Sequence, residues 1–260
     1  MANFLNEFSM DFFRLDGKVA IVTGGNTGLG QAYAAALAKA GADLVITTHG
    51  TNWSETKELI ENMGRKVVFV QADLTKKEDR QNIIEVSMKE FGKIDILVNN
   101  AGTIKRAPLL EYNEEDWNAV MDINLNAVYF LSQEAAKIMA KQGSGKIINI
   151  ASMLTFQGGK FVPPYTASKH GVAGITKAFA NELACKNIQI NAIAPGYIKT
   201  ANTAPIREDE KRNKEILDRI PAEKWAEPFD LMGAVVFLAS RASDYVNGHI
   251  LAVDGGWLVR

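Results

Sequence analysis

The chain has 260 residues, 47% hydrophobic and 23% charged, which suffices for one large buried core in an ordinary globular domain. Its 29 basic and 30 acidic side chains nearly cancel, excluding the overall positive field of a dedicated nucleic-acid binder, and a single cysteine, Cys185, excludes an internal disulfide framework and any multi-cysteine metal site. No apolar run approaches the roughly 20 residues that span a bilayer, and Glu7, Asp11, Arg14 and Asp16 interrupt the N-terminal stretch, so a cytoplasmic chain with neither membrane nor nucleic acid as partner is expected.

Residues 1–14 form an N-terminal arm in which Phe4, Phe8, Phe12 and Phe13 recur at roughly helical spacing, suited to seating on its own domain or on a neighbouring subunit, with a partly disordered tail as the alternative. From residue 15 onward, short β-rich apolar runs at 18–23, 43–48, 66–70, 94–98, 146–150, 188–193 and 250–253 alternate with helical patterns at 29–40, 76–91, 114–141, 165–185 and 229–240. Apolar residues on consecutive positions predict strands covered on both faces, as in a parallel sheet between helices. The pattern therefore predicts one α/β domain over 15–260, a doubly wound seven-stranded parallel sheet of the Rossmann type. No linker divides it and no internal period repeats. The least regular stretch, about 196–228, reads as a loop carrying a helix, either a mobile substrate lid or a solvated surface helix.

Thr23-Gly-Gly-Asn-Thr-Gly-Leu-Gly30 follows the first strand and opens the first helix, the context in which a glycine turn brings backbone N–H groups against a pyrophosphate. Gly24, Asn26, Thr27, Gly28, Leu29 and Gly30 are thus candidate cofactor contacts, although the spacing departs from G-x-G-x-x-G and a merely structural turn is the alternative. The second strand ends Thr47-Thr48-His49-Gly50, without the usual carboxylate for the ribose hydroxyls. Equally, no arginine or lysine between Thr47 and Glu55 offers charge to a 2′-phosphate, so NAD(H) is expected in preference to NADP(H). His49 is either a ribose contact or an ordinary loop residue.

Tyr165 and Lys169 are four apart in a helical stretch and so share a face. A neighbouring ammonium favours tyrosinate, which turns a poor base into a usable proton shuttle. Ser152, at the carboxyl end of the 146–150 strand, can bond the same substrate oxygen, and Asn124 is suited to holding a helix open around water that links Lys169 to solvent. The glycine turn, Asn99-Asn-Ala-Gly102, Asn124, Ser152, Tyr165-Thr-Ala-Ser-Lys169 and Pro195-Gly196 occur in the order shown by short-chain dehydrogenases/reductases, which residues 15–260 resemble. The resemblance implies a catalytic set of Asn124, Ser152, Tyr165 and Lys169, with Tyr165 and Lys169 also touching the cofactor. It further implies that Asp73 and Leu74 meet the adenine, that Asn100, Ala101 and Gly102 lie beside the cofactor, and that Pro195, Gly196, Ile198 and Thr200 border the nicotinamide. Residues 253–256 match a tetramer-forming region, implying a homotetramer.

Within the family, stretches 150–159, 191–203, 216–222 and 242–248 resemble members acting on deoxy-keto-sugar acids, although Lys224-Trp225-Ala226 stands where Arg-Trp-Gly is expected. This implies hydride transfer between NAD(H) and C5 of a 2-keto-3-deoxy sugar acid in uronate breakdown. The rivals are a reductase of gluconate 5-ketone or of an oxoacyl thioester, and a cofactor-binding regulator that has lost catalysis. A carboxylate substrate needs a cation, and Arg106 is the first candidate unless it is solvated or paired with Glu111 or Glu114. Arg207, Lys211 and Arg212 on the lid offer a second anchor, Gln157 and Asn202 offer polar groups to hydroxyls, and Ser152 and Tyr165 meet the substrate directly. His49, His170 and His249 are too scattered for a metal site, so none is expected. His170 is assigned to support behind the site or to core packing, Cys185 to a helix end that is buried or inert, and the acidic residues 111–116 to a helical first turn.

Overall fold

Seven parallel strands build the sheet of this computed structural model, which describes residues 7–260. In chain order the elements are β1 (Val19–Thr23), α1 (Gly28–Ala40), β2 (Asp43–Thr48), α2 (Ser54–Glu61), β3 (Val67–Gln71), α3 (Lys77–Phe91), β4 (Ile96–Asn99), α4 (Glu114–Met121), α5 (Ala127–Gln142), β5 (Gly145–Ile150), α6 (Pro163–Leu183), β6 (Ile188–Pro195), α7 (Ala204–Glu208), α8 (Glu210–Leu217), α9 (Met232–Ala239) and β7 (Ile250–Val253). The strands lie in the order β3-β2-β1-β4-β5-β6-β7. After β3 the chain therefore crosses to the other side of β1, and the reversal opens a crevice beyond the carboxyl ends of β1 and β4.

Every residue of β1, β4, β5 and β6 is buried, whereas the edge strands β3 and β7 are partly exposed. Adjacent side chains of one strand feed opposite faces. Val22 packs into a core with Leu37 of α1 and Val235 of α9, while Ile21 packs with Ile83 of α3 and Leu131 of α5. Polar groups inside this sheet are matched to one another, as burial requires. The Asn99 amide donates to Asn149 and Ser132, each at 2.8 Å, and the Asn149 amide donates to Thr176 at 2.9 Å, so β4, β5, α5 and α6 share one buried network.

Local chemistry explains where the elements depart from the sequence pattern. The single helix expected over 114–141 is broken by a π-helical turn, Asp122–Asn126, at which the Asn124 amide bonds to the neighbouring loop instead of facing solvent. A helix not foreseen, α2, buries only Thr56 and Ile60, too few apolar positions to register as a period. Pro163 and Pro164 start α6 two residues before the expected Tyr165, at helical positions that need no N–H donor. The irregular stretch holds two short helices, with Asp209 between them capping α8 through the Arg212 N–H.

Phe4 lies outside the described residues, while Ser9 caps a short turn at Met10–Phe13. Phe12 stacks beneath Arg241, 4.6 Å from the ring centre, so this part of the arm rests on its own domain. Cys185 is exposed in a turn beyond α6, which removes the buried alternative, because α6 stops at Leu183 before the chain reaches the core again. His170 is likewise exposed, its ring bonded to the Thr166 carbonyl one helical turn back.

The turn between β1 and α1 leaves no room at Gly30, where a Cβ would overlap the Gly24 carbonyl oxygen and come within 2.5 Å of the Asn100 amide nitrogen. Gly30→Ala is expected to lower the free energy of unfolding by about 1–3 kcal/mol, read as a reduced urea midpoint. A midpoint equal to that of the natural chain would contradict the close approach.

Candidate active site

The crevice at the strand ends is a cleft of about 1400 Å³ reaching from the β1–α1 turn to the helices after β6. At one end Gly24 and Gly28 adopt left-handed backbone, with φ of 60° and 55°, which bends the chain sharply from strand into helix. Thr27 caps α1 without a side-chain bond, and no acidic residue occupies the first turn. The positive end of α1 is therefore open to an anion entering the cleft. Thr23 and Asn100 fix this turn to β4: the Thr23 hydroxyl accepts from the N–H groups of Asn100 and Ala101, both at 2.9 Å, and the Asn100 amide donates to the carbonyls of Thr23 and Gly24. A helix end without a side-chain capping bond, a bent glycine turn and a long cleft together fit a dinucleotide with its pyrophosphate on α1.

Further along this end, Thr48, His49, Asp73 and Leu74 line the wall. Hydrogen bonds from the Thr75 hydroxyl and N–H hold the Asp73 carboxyl below its ordinary pKa, with smaller help from the charges of Lys76 and His49. Among the described residues lining the wall between positions 24 and 74, no lysine or arginine occurs. The cations of the cleft are all at the other end, in Arg106, Lys160, Lys169, Arg212 and Arg219.

At that other end, Ser152 leaves β5 as the cap of a short turn, Met153–Thr155, and Tyr165 and Lys169 project from the first turns of α6. Lys169 is 5% exposed, and its ammonium donates to the Ile150 carbonyl at 2.6 Å. It lies 5.5 Å from the centre of the Tyr165 ring. Burial lowers the Lys169 pKa from 10.5 to about 8, so the group is still charged at neutral pH. Burial pushes the Tyr165 phenol above its ordinary value, opposed by its bond with the Ser152 hydroxyl and by the charge of Arg106. The arrangement can thus hold one substrate oxygen between a serine hydroxyl and a tyrosine whose acidity responds to nearby positive charge.

All the sequence-derived cofactor positions, from Gly24 to Thr200, line this one cleft, as do Arg106, Ser152, Gln157 and Asn202. Asn124 and Arg207 do not. Asn124 is fully buried behind the wall, accepting from the Thr103 N–H at 2.8 Å and donating to the Thr103 carbonyl and to Ser168. These bonds fasten the loop after β4 to the π-helical turn and to α6. Arg207 turns inward, donating to the Thr200 carbonyl at 3.2 Å, so it braces the loop after β6 and is not a cleft anchor. Arg106 is exposed with no ion pair among the described residues; the acidic neighbour Asp116 pairs with Lys105 at 3.5 Å instead.

Several lining residues had no signal in the sequence. Arg219 stacks 3.9 Å over Trp257, and the Gln157 carbonyl oxygen accepts from both at 3.3 Å. Tyr197 packs edge-on against Trp225 and Trp257, with ring centres 5.1 and 4.8 Å apart. These groups come from segments up to 100 positions apart, so only the fold brings them together.

Residues 24–258 match the family described as enoyl-(acyl carrier protein) reductase. The chain is 58% identical over 250 residues to 2-dehydro-3-deoxy-D-gluconate 5-dehydrogenase of Bacillus subtilis, covering 96% of this chain and 98% of that protein. It is 57% identical to the Escherichia coli protein of the same name, covering 95% and 98%. The crystal structure of a gluconate 5-dehydrogenase from Burkholderia cenocepacia, in complex with NADP and tartrate, is 37% identical and superposes with a TM-score of 0.92, covering 96% of this chain and 98% of that one. The chain belongs to the short-chain dehydrogenase/reductase family. It is an oxidoreductase of hydroxyl and keto sugars that uses a pyridine nucleotide. Among the described residues, no helix is long and apolar enough to cross a membrane.

The lowered pKa of Lys169 has a definite sign in stability. Between about 8 and 10.5 the unfolded chain holds the proton that the folded chain has released, so folding gains as pH rises through that window, and the full cost of burying the charge is felt below it. The melting temperature of the natural chain is therefore expected to rise relative to Lys169→Met as pH increases across this window. A difference independent of pH would contradict the buried ammonium.

Proposed function

We propose that this enzyme transfers hydride between NAD(H) and C5 of a 2-keto-3-deoxy sugar acid, interconverting 2-dehydro-3-deoxy-D-gluconate and 3-deoxy-D-glycero-2,5-hexodiulosonate. The observation that carries the reading is the convergence of Ser152, Tyr165 and Lys169 at the cationic end of a cleft whose other end suits a pyrophosphate. The relatives named for this substrate support the choice of sugar acid, and the breakdown of uronates is the metabolic setting it suits.

The bound nicotinamide supplies hydride in reduction and accepts it in oxidation. Ser152 donates a hydrogen bond to the C5 oxygen, which polarises the ketone. Tyr165 gives that oxygen its proton in reduction and takes it back in oxidation, so ketone, hydride and proton balance the alcohol. The ammonium of Lys169 favours the tyrosinate form. Asn124 acts at one remove, by fixing the Thr103 segment of the cleft wall. Arg106 presents its planar fork to the substrate carboxylate, supported by its free charge and its pull on the Tyr165 phenol. Asn202 offers a polar contact to the sugar hydroxyls, whereas the Gln157 acceptor is already engaged by Arg219 and Trp257.

NAD(H) is favoured over NADP(H) on this chain's own adenosine end, where no lysine or arginine lines the wall to neutralise a 2′-phosphate and the ionised Asp73 stands nearby. The helices α7 and α8 form a lid over the substrate, and residues 253–256 contribute to a homotetramer working in the cytoplasm.

Initial rates with NADH and NADPH on the 2,5-diketo acid and on 5-ketogluconate test this reading. NADH turnover of the deoxy acid is expected, with Tyr165→Phe slower by about 10²–10⁴-fold and Arg106→Ala raising KM for the acid with a smaller change for a neutral ketone. Preference for NADPH would overturn the cofactor assignment, turnover confined to 5-ketogluconate would overturn the substrate, and an unchanged KM in Arg106→Ala would move the carboxylate to Arg219.

A further inference from the structure

Ser152 follows β5, whereas Tyr165 and Lys169 stand on α6, so the distance between serine and tyrosine depends on how strand end and helix are tied. One side chain bonds to both. Thr155 ends the short turn that Ser152 begins and is 6% exposed. Its hydroxyl accepts from the Ser152 N–H at 3.3 Å and donates to the Lys169 carbonyl at 3.1 Å. A hydroxyl has one hydrogen, so directing it at Lys169 leaves a lone pair for Ser152, and both bonds are made at once. The Ser152 oxygen in turn accepts from the Leu154 N–H at 3.1 Å, which keeps its own hydrogen available to a substrate. The return tie is the Lys169 ammonium on the Ile150 carbonyl, two residues before Ser152.

We propose that Thr155 is a positioning residue of the reaction, whose hydroxyl sets the separation between the Ser152 hydroxyl and the Tyr165 phenol. The inference rests on the roles proposed above for those two residues. A turn that merely needed a buried, compact side chain would accept valine, which has nearly the shape of threonine and neither of its bonds. Loosening Ser152 removes one of the two influences that oppose the rise of the Tyr165 pKa, leaving the charge of Arg106, while the Lys169 ammonium still faces the ring. The phenol must then titrate at higher pH.

Thr155→Val and Thr155→Ser decide the matter, with Thr155→Ala replacing the valine variant if that one fails to fold. Two quantities are read: kcat on a ketone the natural enzyme reduces, and the ionisation of Tyr165 in the substrate-free protein, taken as the ultraviolet tyrosinate difference against Tyr165→Phe in each background. Thr155→Val is expected to lose about tenfold in kcat with KM for the dinucleotide nearly unchanged, and to shift the Tyr165 titration to higher pH. Thr155→Ser, which keeps the hydroxyl, is expected to recover both. An unchanged kcat and titration in Thr155→Val would overturn the proposal, as would equal losses in the serine and valine variants accompanied by a fallen melting temperature. Failure of the sugar-acid reading has a different signature: the natural enzyme refuses that acid while the Tyr165 titration still responds to position 155.

Discussion

An ammonium ion buried against a backbone carbonyl organises the reacting end of this molecule. Lys169 lies 2.6 Å from the Ile150 oxygen, where β5 still pairs with β6 but has passed its last pairing with β4. Taking a charge out of water is costly, and the lowered pKa measures the disfavour. What the cost sustains is a positive charge 5.5 Å from the centre of the Tyr165 ring, held by its bond to the Ile150 carbonyl. The two turns of α6 that carry Tyr165 and Lys169, the cap at Ser152 and the bridge through Thr155 all hold β5 and α6 at the spacing this contact needs.

The sheet decides where that contact can be. Parallel strands end on the same side, so the carboxyl ends of β1, β4, β5 and β6 all open into one cleft. The reversal of strand order beside β1 keeps crossover helices from covering it. Along the cleft the electrostatics change character. Near β1 the positive field is the diffuse one of a helix terminus, suited to a pyrophosphate, whereas beyond β4 and β6 it comes from discrete cations. The two ends of the cleft therefore offer positive potential by different devices, and Arg219 stacks on Trp257 in the wall of the second.

Much of this was legible in the residues because the signals were local. Fully buried strands read as continuous apolar runs, the glycine turn sits between a strand and a helix, and Tyr165 and Lys169 share a helical face by spacing alone. Their roles became readable only when several such motifs stood in one order along the chain. The losses were of two kinds. Elements with little burial, such as α2, carry too few apolar residues to show a period, and the π-helical turn at Asp122–Asn126 depends on a bond to Thr103 that no local pattern encodes. Side-chain direction was the other loss. Arg207 and Arg219 are both arginines near α7 and α8, yet one turns in to brace Thr200 and the other lies on Trp257 in the cleft, a choice made by partners distant in sequence. The exposure of Cys185 and His170 was hidden for the same reason, since helical periodicity along α6 does not reveal which face the sheet leaves uncovered.

The central proposal is that the geometry around Lys169, Tyr165 and Ser152 delivers hydride to C5 of a deoxy-keto-sugar acid. Reduction of the 2,5-diketo acid with NADH deuterated on the transferable position of the nicotinamide, followed by nuclear magnetic resonance of the product, follows the transferred atom itself. A single deuterium on C5, in one configuration, is expected, and none in product formed with unlabelled NADH. Deuterium on C2, or reduction without label transfer to carbon, would contradict it.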